Sequence, residues 1–144
     1  MTAMRIITRR ITRRLATALA LMLAGSATMP ASGQRPALTM LDQLDHGTWE
    51  VRLRDGSRTV YPLCIDSGRR LIQLRHPLST CDRVVVDDQA NAVTVQYTCR
   101  GQGYGRTSIR RESNRLVQID TQGIAEGLPF DFLAEARRTG ECPA

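Results

Sequence analysis

Residues 81–99 read CDRVVVDDQANAVTVQYTC, two runs rich in β-branched residues around a polar turn, with a cysteine at each outer end. Such alternating runs on either side of turn-forming residues predict a β-hairpin. A three-residue loop over residues 89–91, with Asn91 in the left-handed conformation, places Asp88 opposite Ala92. The loop therefore predicts the register of the whole hairpin.

In this register the two cysteines of the hairpin fall opposite each other. Because side chains alternate between the faces of a strand, Cys81 and Cys99 share one face with two other predicted pairs. That face carries Arg83 opposite Tyr97 and Val85 opposite Val95, whereas Asp82, Thr94, Gln96 and Thr98 lie on the other face. We expect a disulfide across the hairpin that points toward the core.

The first 33 residues predict a secretory signal peptide and a short mature N-terminal tail. The segment combines five arginines, a ten-residue apolar run over residues 15–24, and small residues at positions 25–27, which favour cleavage near residue 27. The apolar run is too short to span a bilayer, which needs about 20 residues. A serine, Ser26, occupies the place of the cysteine that bacterial lipoproteins carry. We expect export to the periplasm or secretion, with no stable membrane anchor.

The basic character of the chain lies mostly in this opening segment. The chain has 20 basic residues, all arginine, and 14 acidic residues, giving a formal net charge of +6. Five arginines and none of the acids precede residue 34, so the remaining basic residues exceed the acidic ones by one. A nearly neutral domain lacks the positive field that dominates nucleic-acid affinity, so nucleic acid is not an expected partner.

The rest of the chain divides into a lead-in segment, residues 34–46, and a single domain, residues 47–142. In the lead-in, Leu38, Leu41 and Leu44 recur at helical spacing. The domain is short enough for one modest core, which disulfides would strengthen. We therefore expect one disulfide-stapled β domain.

The alternation of apolar and polar residues predicts about seven strands in this domain. A strand over residues 48–54, with Trp49 facing inward, leads through the turn Asp55-Gly56 into a strand over residues 58–65. Pro62 favours a sheet edge for the latter strand because proline donates no ladder hydrogen bond. A short helix capped by Asp66 or Ser67 extends to Arg75.

After the hairpin, strands are expected over residues 104–111, 116–121 and 130–138, with a looser connection over residues 123–129. Trp49, Phe130 and Phe132 are expected to anchor the core. The fold class is mainly β: an antiparallel up-and-down meander, curled or barrel-like, with one short helix and two disulfides.

Four cysteines allow three connectivities. The hairpin register favours Cys81 with Cys99, which leaves Cys64 with Cys142 if the sheet curls round. The alternative is Cys64 with Cys81, clipping the short helix, together with Cys99 and Cys142.

Five segments form a pattern around the four cysteines: Gly47-Thr48-Trp49-Glu50-Val51, Leu63-Cys64-Ile65, Cys81, Tyr97-Thr98-Cys99 and Arg138-Thr139-Gly140-Glu141-Cys142. With this pattern the chain resembles a family of small exported bacterial proteins, domain-of-unknown-function family 3617. It implies an exported or periplasmic domain without an assigned activity, and it brings no catalytic residues.

No catalytic, metal-binding or cofactor-binding motif is found. The cysteines lack the close spacing of zinc sites, and neither His46 nor His76 lies in a nucleophile motif. His76, next to Pro77, is expected in a surface loop. The sequence favours a protein that is not an enzyme.

Three non-enzymatic functions remain. The main expectation is a binding or structural module of the periplasm. The second is a carrier of a small apolar ligand inside a curled sheet; the small inward residues permit a cavity, although a thin, solid core is favoured. The third is a module that binds an envelope protein or an anionic polymer through a basic strip. That strip would consist of Arg106, Arg110, Arg111, Arg115, Arg137 and Arg138.

Overall fold

The structure, a computed structural model, describes residues 37–55 and 60–143. The expected signal segment, residues 1–33, and Gly56 of the expected first turn lie outside these residues. The described residues form one α-helix, a short 3₁₀ helix and seven strands. They are α1 (Thr39–Asp42), β1 (Gly47–Leu53), β2 (Val60–Ile65), the 3₁₀ helix (Gly68–Leu71), β3 (Cys81–Asp88), β4 (Ala92–Cys99), β5 (Gly103–Ser113), β6 (Leu116–Ala125) and β7 (Leu128–Gly140).

The seven strands form one antiparallel sheet in the order β2-β1-β7-β6-β5-β4-β3. This is the neighbour order of an up-and-down barrel, because β7 pairs with β1. The sheet does not close, since β2 and β3 are its two edges. The expected mainly β meander with a short helix and two disulfides is confirmed, and the opening lies between β2 and β3.

One face of the sheet, here called the inner face, carries the core. Along the strands, buried residues alternate with exposed ones, as the period of a strand requires. Trp49 is fully buried and donates its indole N–H to the carbonyl of Asp45 at 3.0 Å. Phe130 and Phe132 are only half-buried. Trp49 therefore anchors the core as expected, whereas Phe132 packs only against its margin and Phe130 is not part of the core cluster.

The lead-in helix and the connection between β2 and β3 cover one end of the inner face. Four residues of the lead-in segment are buried in the core, namely Leu38, Met40, Leu41 and Leu44. Gly68 of the 3₁₀ helix lies so close to α1 that an added Cβ would approach the Leu41 carbonyl oxygen to 2.4 Å. The Arg69 guanidinium binds both carboxylate oxygens of Asp42, at 2.9 and 2.8 Å. The α1 helix and the 3₁₀ helix thus pack together over this end of the core.

Polar groups also join this connection to the sheet. The buried Thr107 hydroxyl on β5 donates to the Ile72 carbonyl at 2.6 Å. Because a hydroxyl has one proton, the Thr121 hydroxyl donates to Thr107 at 2.7 Å rather than accepting from it. The hydrogen bonds hold the connection against the middle of the sheet.

The hairpin register is confirmed near the cysteines and wrong near the turn. Cys81 pairs with Cys99 and Val85 with Val95, as expected, but the register shifts beyond Val85. Asp88 consequently faces Val93 instead of Ala92. Among the described residues other than glycine, only Leu38 and Glu126 have positive φ, so Asn91 is not left-handed.

A β-bulge explains the shift. The extra residue, Val86, has no opposite partner on β4, and a bulge adds one residue to one strand while increasing the local twist. The turn is closed by the Gln89 amide, which donates to the Ala92 carbonyl at 2.8 Å. The hairpin is therefore closed without a left-handed residue in its turn.

Two other expectations about the elements are corrected. The looser connection over residues 123–129 does not exist, because β6 extends to Ala125 and β7 begins at Leu128. Glu126 and Gly127 form a two-residue turn with φ of 53° and 81°, the signs of a type I′ turn. The helix expected to reach Arg75 is a single 3₁₀ turn, whose cap is Ser67, accepting from the Arg69 amide at 3.3 Å.

All four cysteines are paired. Cys64 is bonded to Cys142 and Cys81 to Cys99, with Cα–Cα distances of 5.5 and 4.2 Å. The favoured connectivity is therefore confirmed. Each edge strand of the sheet carries one disulfide.

Candidate functional site: a cleft at the open side of the sheet

A cleft of about 540 Å³ lies on the inner face at the opening between the two edge strands. Its walls come from β1, β2 and β7 on one side, from β3 on the other, and from the connection that crosses the gap. This volume lies within the range of about 300–1,000 Å³ that small-ligand sites occupy. The cleft opens to solvent beside the packed core cluster and therefore does not contradict the favoured expectation of a thin, solid core. The covered end of the inner face is packed, and the end beyond it is open.

The floor and one wall of the cleft are apolar. They consist of Val51 and Leu53 from β1, Pro62 and Leu63 from β2, Leu74 and Pro77 from the connection, and Phe132 from β7. Leu53, Leu63, Leu74 and Phe132 are partly buried and pack against the core cluster. The cleft therefore continues the hydrophobic core to the surface.

Four arginines also line the cleft: Arg69, Arg70, Arg75 and Arg83. None of the described lining residues is an aspartate or glutamate. A cleft with apolar walls focuses the field of such charges, which attracts anions. The charges are not equivalent, however, because two of these arginines have carboxylate partners.

Arg69 and Arg70 are ion-paired. Arg69 binds Asp42 and also donates to the Ala37 carbonyl at 2.6 Å. The hydrogen bond from Arg69 holds the pKa of the Asp42 carboxyl below its ordinary value, so the pair is ionised at neutral pH. Arg70 lies 3.9 Å from the exposed carboxylate of Asp66. Both charges are thus offset locally.

Arg83 is held differently. Its guanidinium donates to the side-chain carbonyl of Gln73 at 2.6 Å. Gln73 is buried, and its amide nitrogen donates to the carbonyls of His76 and Ser79, each at 2.8 Å. Because both amide donors of Gln73 are used, its oxygen must face Arg83. The orientation of the guanidinium is therefore determined before any ligand arrives.

The environment of Arg83 disfavours its charge. Burial lowers the pKa of the Arg83 guanidinium below its ordinary value, and the positive charge of Arg69 lowers this pKa further. An arginine nevertheless stays protonated in proteins. Among the residues that the structure describes, no carboxylate forms an ion pair with Arg83.

Arg75 extends the positive charge along the same side of the cleft. Its guanidinium carbon lies 5.8 Å from the centroid of the Phe130 ring, within the range of a cation–π contact. Arg75 is exposed and, within the described parts of the chain, forms no ion pair. It can therefore turn toward a ligand without breaking a salt bridge.

His76 is buried rather than in a surface loop, so that expectation is wrong. Its exposed fraction is 4%. Its Nε2 lies 3.2 Å from the Gln102 carbonyl oxygen, which only accepts, so Nε2 carries the proton. Its Nδ1 accordingly accepts from the Tyr97 hydroxyl at 3.3 Å. Burial raises the pKa of Tyr97 to about 12. The His76 ring meets the Tyr97 ring edge-on, with 5.5 Å between the ring centroids, while the backbone carbonyl of His76 accepts from Gln73.

The six arginines of the expected basic strip do not lie on one face. Arg106 and Arg110 project from the outer face of β5, and Arg137 projects from the outer face of β7. The other three lie at the margins: Arg111 donates to the Ala90 carbonyl, Arg115 lies 3.9 Å from Asp45, and Arg138 donates to the His46 carbonyl.

Carboxylates also offset much of this charge. Arg110 pairs with Glu112 at 3.1 Å, Arg137 pairs with Glu135 at 3.2 Å, and Arg138 pairs with Glu141. Arg106 lines a separate depression together with Asp131. The use of these arginines as a partner-binding surface stays a prediction.

Within the described ranges, residues 37–55 and 60–143, no three His, Cys, Asp or Glu side chains come together in a way that could hold a metal ion. No helix within them is long and apolar enough to cross a membrane.

Sequence reasoning did not find the cleft or single out Arg83 as a site residue. It did place Arg83 on the inner face, opposite Tyr97. A charged residue among core-facing positions is in itself an indication of a functional site. The missing information was which elements meet across the opening, because the residues of the cleft are far apart along the chain.

Comparison with family models, with curated proteins and with solved structures gives no match. The resemblance to domain-of-unknown-function family 3617 accordingly stays a prediction that rests on the residues quoted for it.

Proposed function

We propose that this protein is an exported, non-enzymatic binding module whose cleft takes one small ligand with an apolar body. The cleft carries the proposal: seven apolar residues line it, and its volume is typical of small-ligand sites. Exposed apolar surface of this kind costs free energy in water, and a ligand that covers it recovers about 25 cal/mol per Å².

The position of the cleft supports a carrier. It lies at the opening between two edge strands, so a ligand can enter and leave without breaking the sheet. Both edges are covalently tied, by Cys64–Cys142 and by Cys81–Cys99. The opening thus has fixed sides, which lowers the entropy that a ligand would otherwise have to overcome.

Export is part of the proposal. Disulfides persist in oxidising compartments, and all four cysteines of this chain are bridged. The arginine-rich and apolar opening segment has the pattern of a signal peptide. The full chain should be expressed in an exporting host, and its periplasmic form weighed under denaturing conditions. We expect loss of the signal segment and a further deficit of about 4 mass units from two bridges.

Ligand binding is tested with a neutral naphthylamine dye that fluoresces in apolar surroundings, titrated against the exported protein. We expect saturable fluorescence and one dye per chain. In the Phe132→Glu variant a carboxylate enters the apolar wall, so binding should be lost. Leu133→Glu is the matched control, because Leu133 is the next residue on β7 and its exposed side chain lies on the outer face.

Equal binding by the two variants would place the dye elsewhere, and absence of saturable binding to the native protein would contradict the proposed function. Native mass spectrometry of the periplasmic form complements the titration, since a discrete extra mass identifies a co-purified ligand.

A further inference from the structure

The wall of the cleft formed by β3 differs chemically from the rest. It presents the Arg83 guanidinium at the mouth, partly in solvent, opposite the apolar side chains of β1, β2 and β7. One of its five N–H groups is bonded to Gln73, which leaves further donors directed away from that contact. A cleft with one cationic wall and apolar remaining walls has the polarity of an amphipathic ligand.

We infer that the cleft binds a single-chain amphiphile with one anionic head group, such as a fatty-acid carboxylate, with Arg83 as the residue that binds the head group. The inference rests on the proposed function and names the class of ligand. The alkyl chain lies along Leu53, Leu63 and Phe132, and the carboxylate lies at the mouth.

Charge complementarity is the main argument. The lining holds four arginines and, among the described residues, no acid, so an uncharged ligand would leave the charge of Arg83 without a partner. A carboxylate accepts two parallel hydrogen bonds from one guanidinium, a geometry that a lysine ammonium does not match. Arg75, which has no ion pair in the described residues, is near enough in sequence to Gln73 and Leu74 to support the same end of the ligand.

Gln73 makes this site pre-organised. The Gln73 amide nitrogen donates to the carbonyls of His76 and Ser79, which fixes the Gln73 side chain and, through it, the Arg83 guanidinium. Arg83 therefore loses less conformational entropy when a ligand binds. Gln73 is a positioning residue, since its polar atoms are used within the protein.

A structural role for Arg83 is the competing explanation. An inward-pointing charge on an edge strand hinders pairing with another sheet, and β3 is such an edge. If Arg83 had only that role, the affinity for a ligand would not depend on its head group. A comparison of ligands that differ only in the head group therefore separates the two explanations.

The test is displacement of the neutral dye from the exported protein by decanoate and by decanol, each below its aggregation concentration at neutral pH. We expect decanoate to bind about 10- to 100-fold more tightly, the contribution of a hydrogen bond to a charged group. Arg83→Gln should remove this preference while decanol still displaces the dye. Arg83→Lys should keep a reduced preference, because the charge remains and the paired geometry is lost.

Arg52→Gln is the matched control. Arg52 lies on β1, is paired with Glu50 at 3.0 Å and is not part of the cleft, so its loss changes the net charge equally. This variant should keep the preference for decanoate. Equal loss in Arg52→Gln and Arg83→Gln would show a general charge effect and overturn the inference.

The outcomes distinguish this inference from the proposed function. Displacement by decanol as efficiently as by decanoate overturns the anionic head group and leaves an apolar-ligand carrier. Dye binding that neither compound displaces overturns the inference for single-chain amphiphiles. Failure of the dye itself to bind overturns the proposed function and the inference with it.

Discussion

The two edge strands of the sheet, β2 and β3, are both tied by a disulfide but differ in the residues that they present. Each is tied by one disulfide, but Cys64–Cys142 joins β2 to the C-terminal tail across 78 residues, whereas Cys81–Cys99 joins β3 to its neighbour across 18 residues. The first bridge closes the chain around most of the domain. The second reinforces a contact that the hairpin already makes.

The two edge strands are also hindered from pairing with another sheet by different means. β2 contains Pro62, which donates no backbone hydrogen bond, whereas β3 directs the charge of Arg83 inward. The cleft between them inherits this difference, with an apolar wall on the β2 side and a cationic wall on the β3 side. The residues that hinder pairing at the two edges of an open, barrel-like sheet can thus also make one wall of the opening apolar and the other cationic.

The largest expected effect comes from breaking the disulfides one at a time. In the loop-entropy treatment a bridge over 78 residues stabilises by about 4.5 kcal/mol, and one over 18 residues by about 3 kcal/mol. We expect Cys64→Ser with Cys142→Ser to lower the free energy of unfolding more than Cys81→Ser with Cys99→Ser, measured by denaturant titration. The Cys64→Ser change alone should already be severe, with lower export yield and melting temperature. An unchanged melting curve for it would contradict the account.

The connection that crosses between the edges is tested by Gly68→Ala. Its Cβ would meet the Leu41 carbonyl oxygen and the Leu44 side chain, so α1 must move away. We expect a loss of about 1–3 kcal/mol in the free energy of unfolding, the usual cost of overpacking. Gly140→Ala is the control, because an added Cβ there meets nothing within 4 Å. Equal stability of the two variants would show that the helices are not tightly packed.

A smaller decrease in the free energy of unfolding should appear at high pH, and it comes from Tyr97 on β4, the strand next to β3. Burial raises the pKa of Tyr97 from 10.0 to about 12, so the folded state retains a proton that the unfolded state loses. The stabilising contribution is complete below pH 10 and declines as the pH rises toward about 12. The slope cannot exceed about 1.4 kcal/mol per pH unit for one proton.

The matched variants for this effect are Tyr97→Phe and Tyr104→Phe, compared by denaturant unfolding across the same pH interval. Tyr97→Phe should remove part of the decline, at the cost of leaving His76 Nδ1 without its donor. Tyr104→Phe removes the same phenol hydroxyl from a half-exposed position and is the control for the substitution itself. If both variants keep the full dependence on pH, another group is responsible.

The smallest expected effect is that of Arg83→Gln on stability. The variant removes an unneutralised charge and one hydrogen bond at the mouth of the cleft, two changes that oppose each other. We expect the free energy of unfolding to change by less than about 1 kcal/mol, even though ligand preference changes strongly. A large loss of stability would instead assign Arg83 a structural role.

Local pattern predicted the parts of this fold whose partners are near in the chain. The Cys81–Cys99 hairpin followed from strand alternation and a short turn, and its register held until the bulge at Val86. The bulge was missed because it depends on no particular residue type. The Glu126-Gly127 turn was missed because Gly127 fits its second position, whereas a glutamate is rarely found with the positive φ that the first position requires.

The sequence by itself determined the strand alternation, the inward position of Trp49 and, from the order of the strands, the favoured pairing of the cysteines. The burial of His76, the opening between β2 and β3, and the meeting of Arg83 with Gln73 depended on tertiary structure. The physical reason is sequence distance. Alternation and turns are properties of neighbouring residues, whereas the cleft is made by β1, β3 and β7, which meet only after the whole sheet has formed.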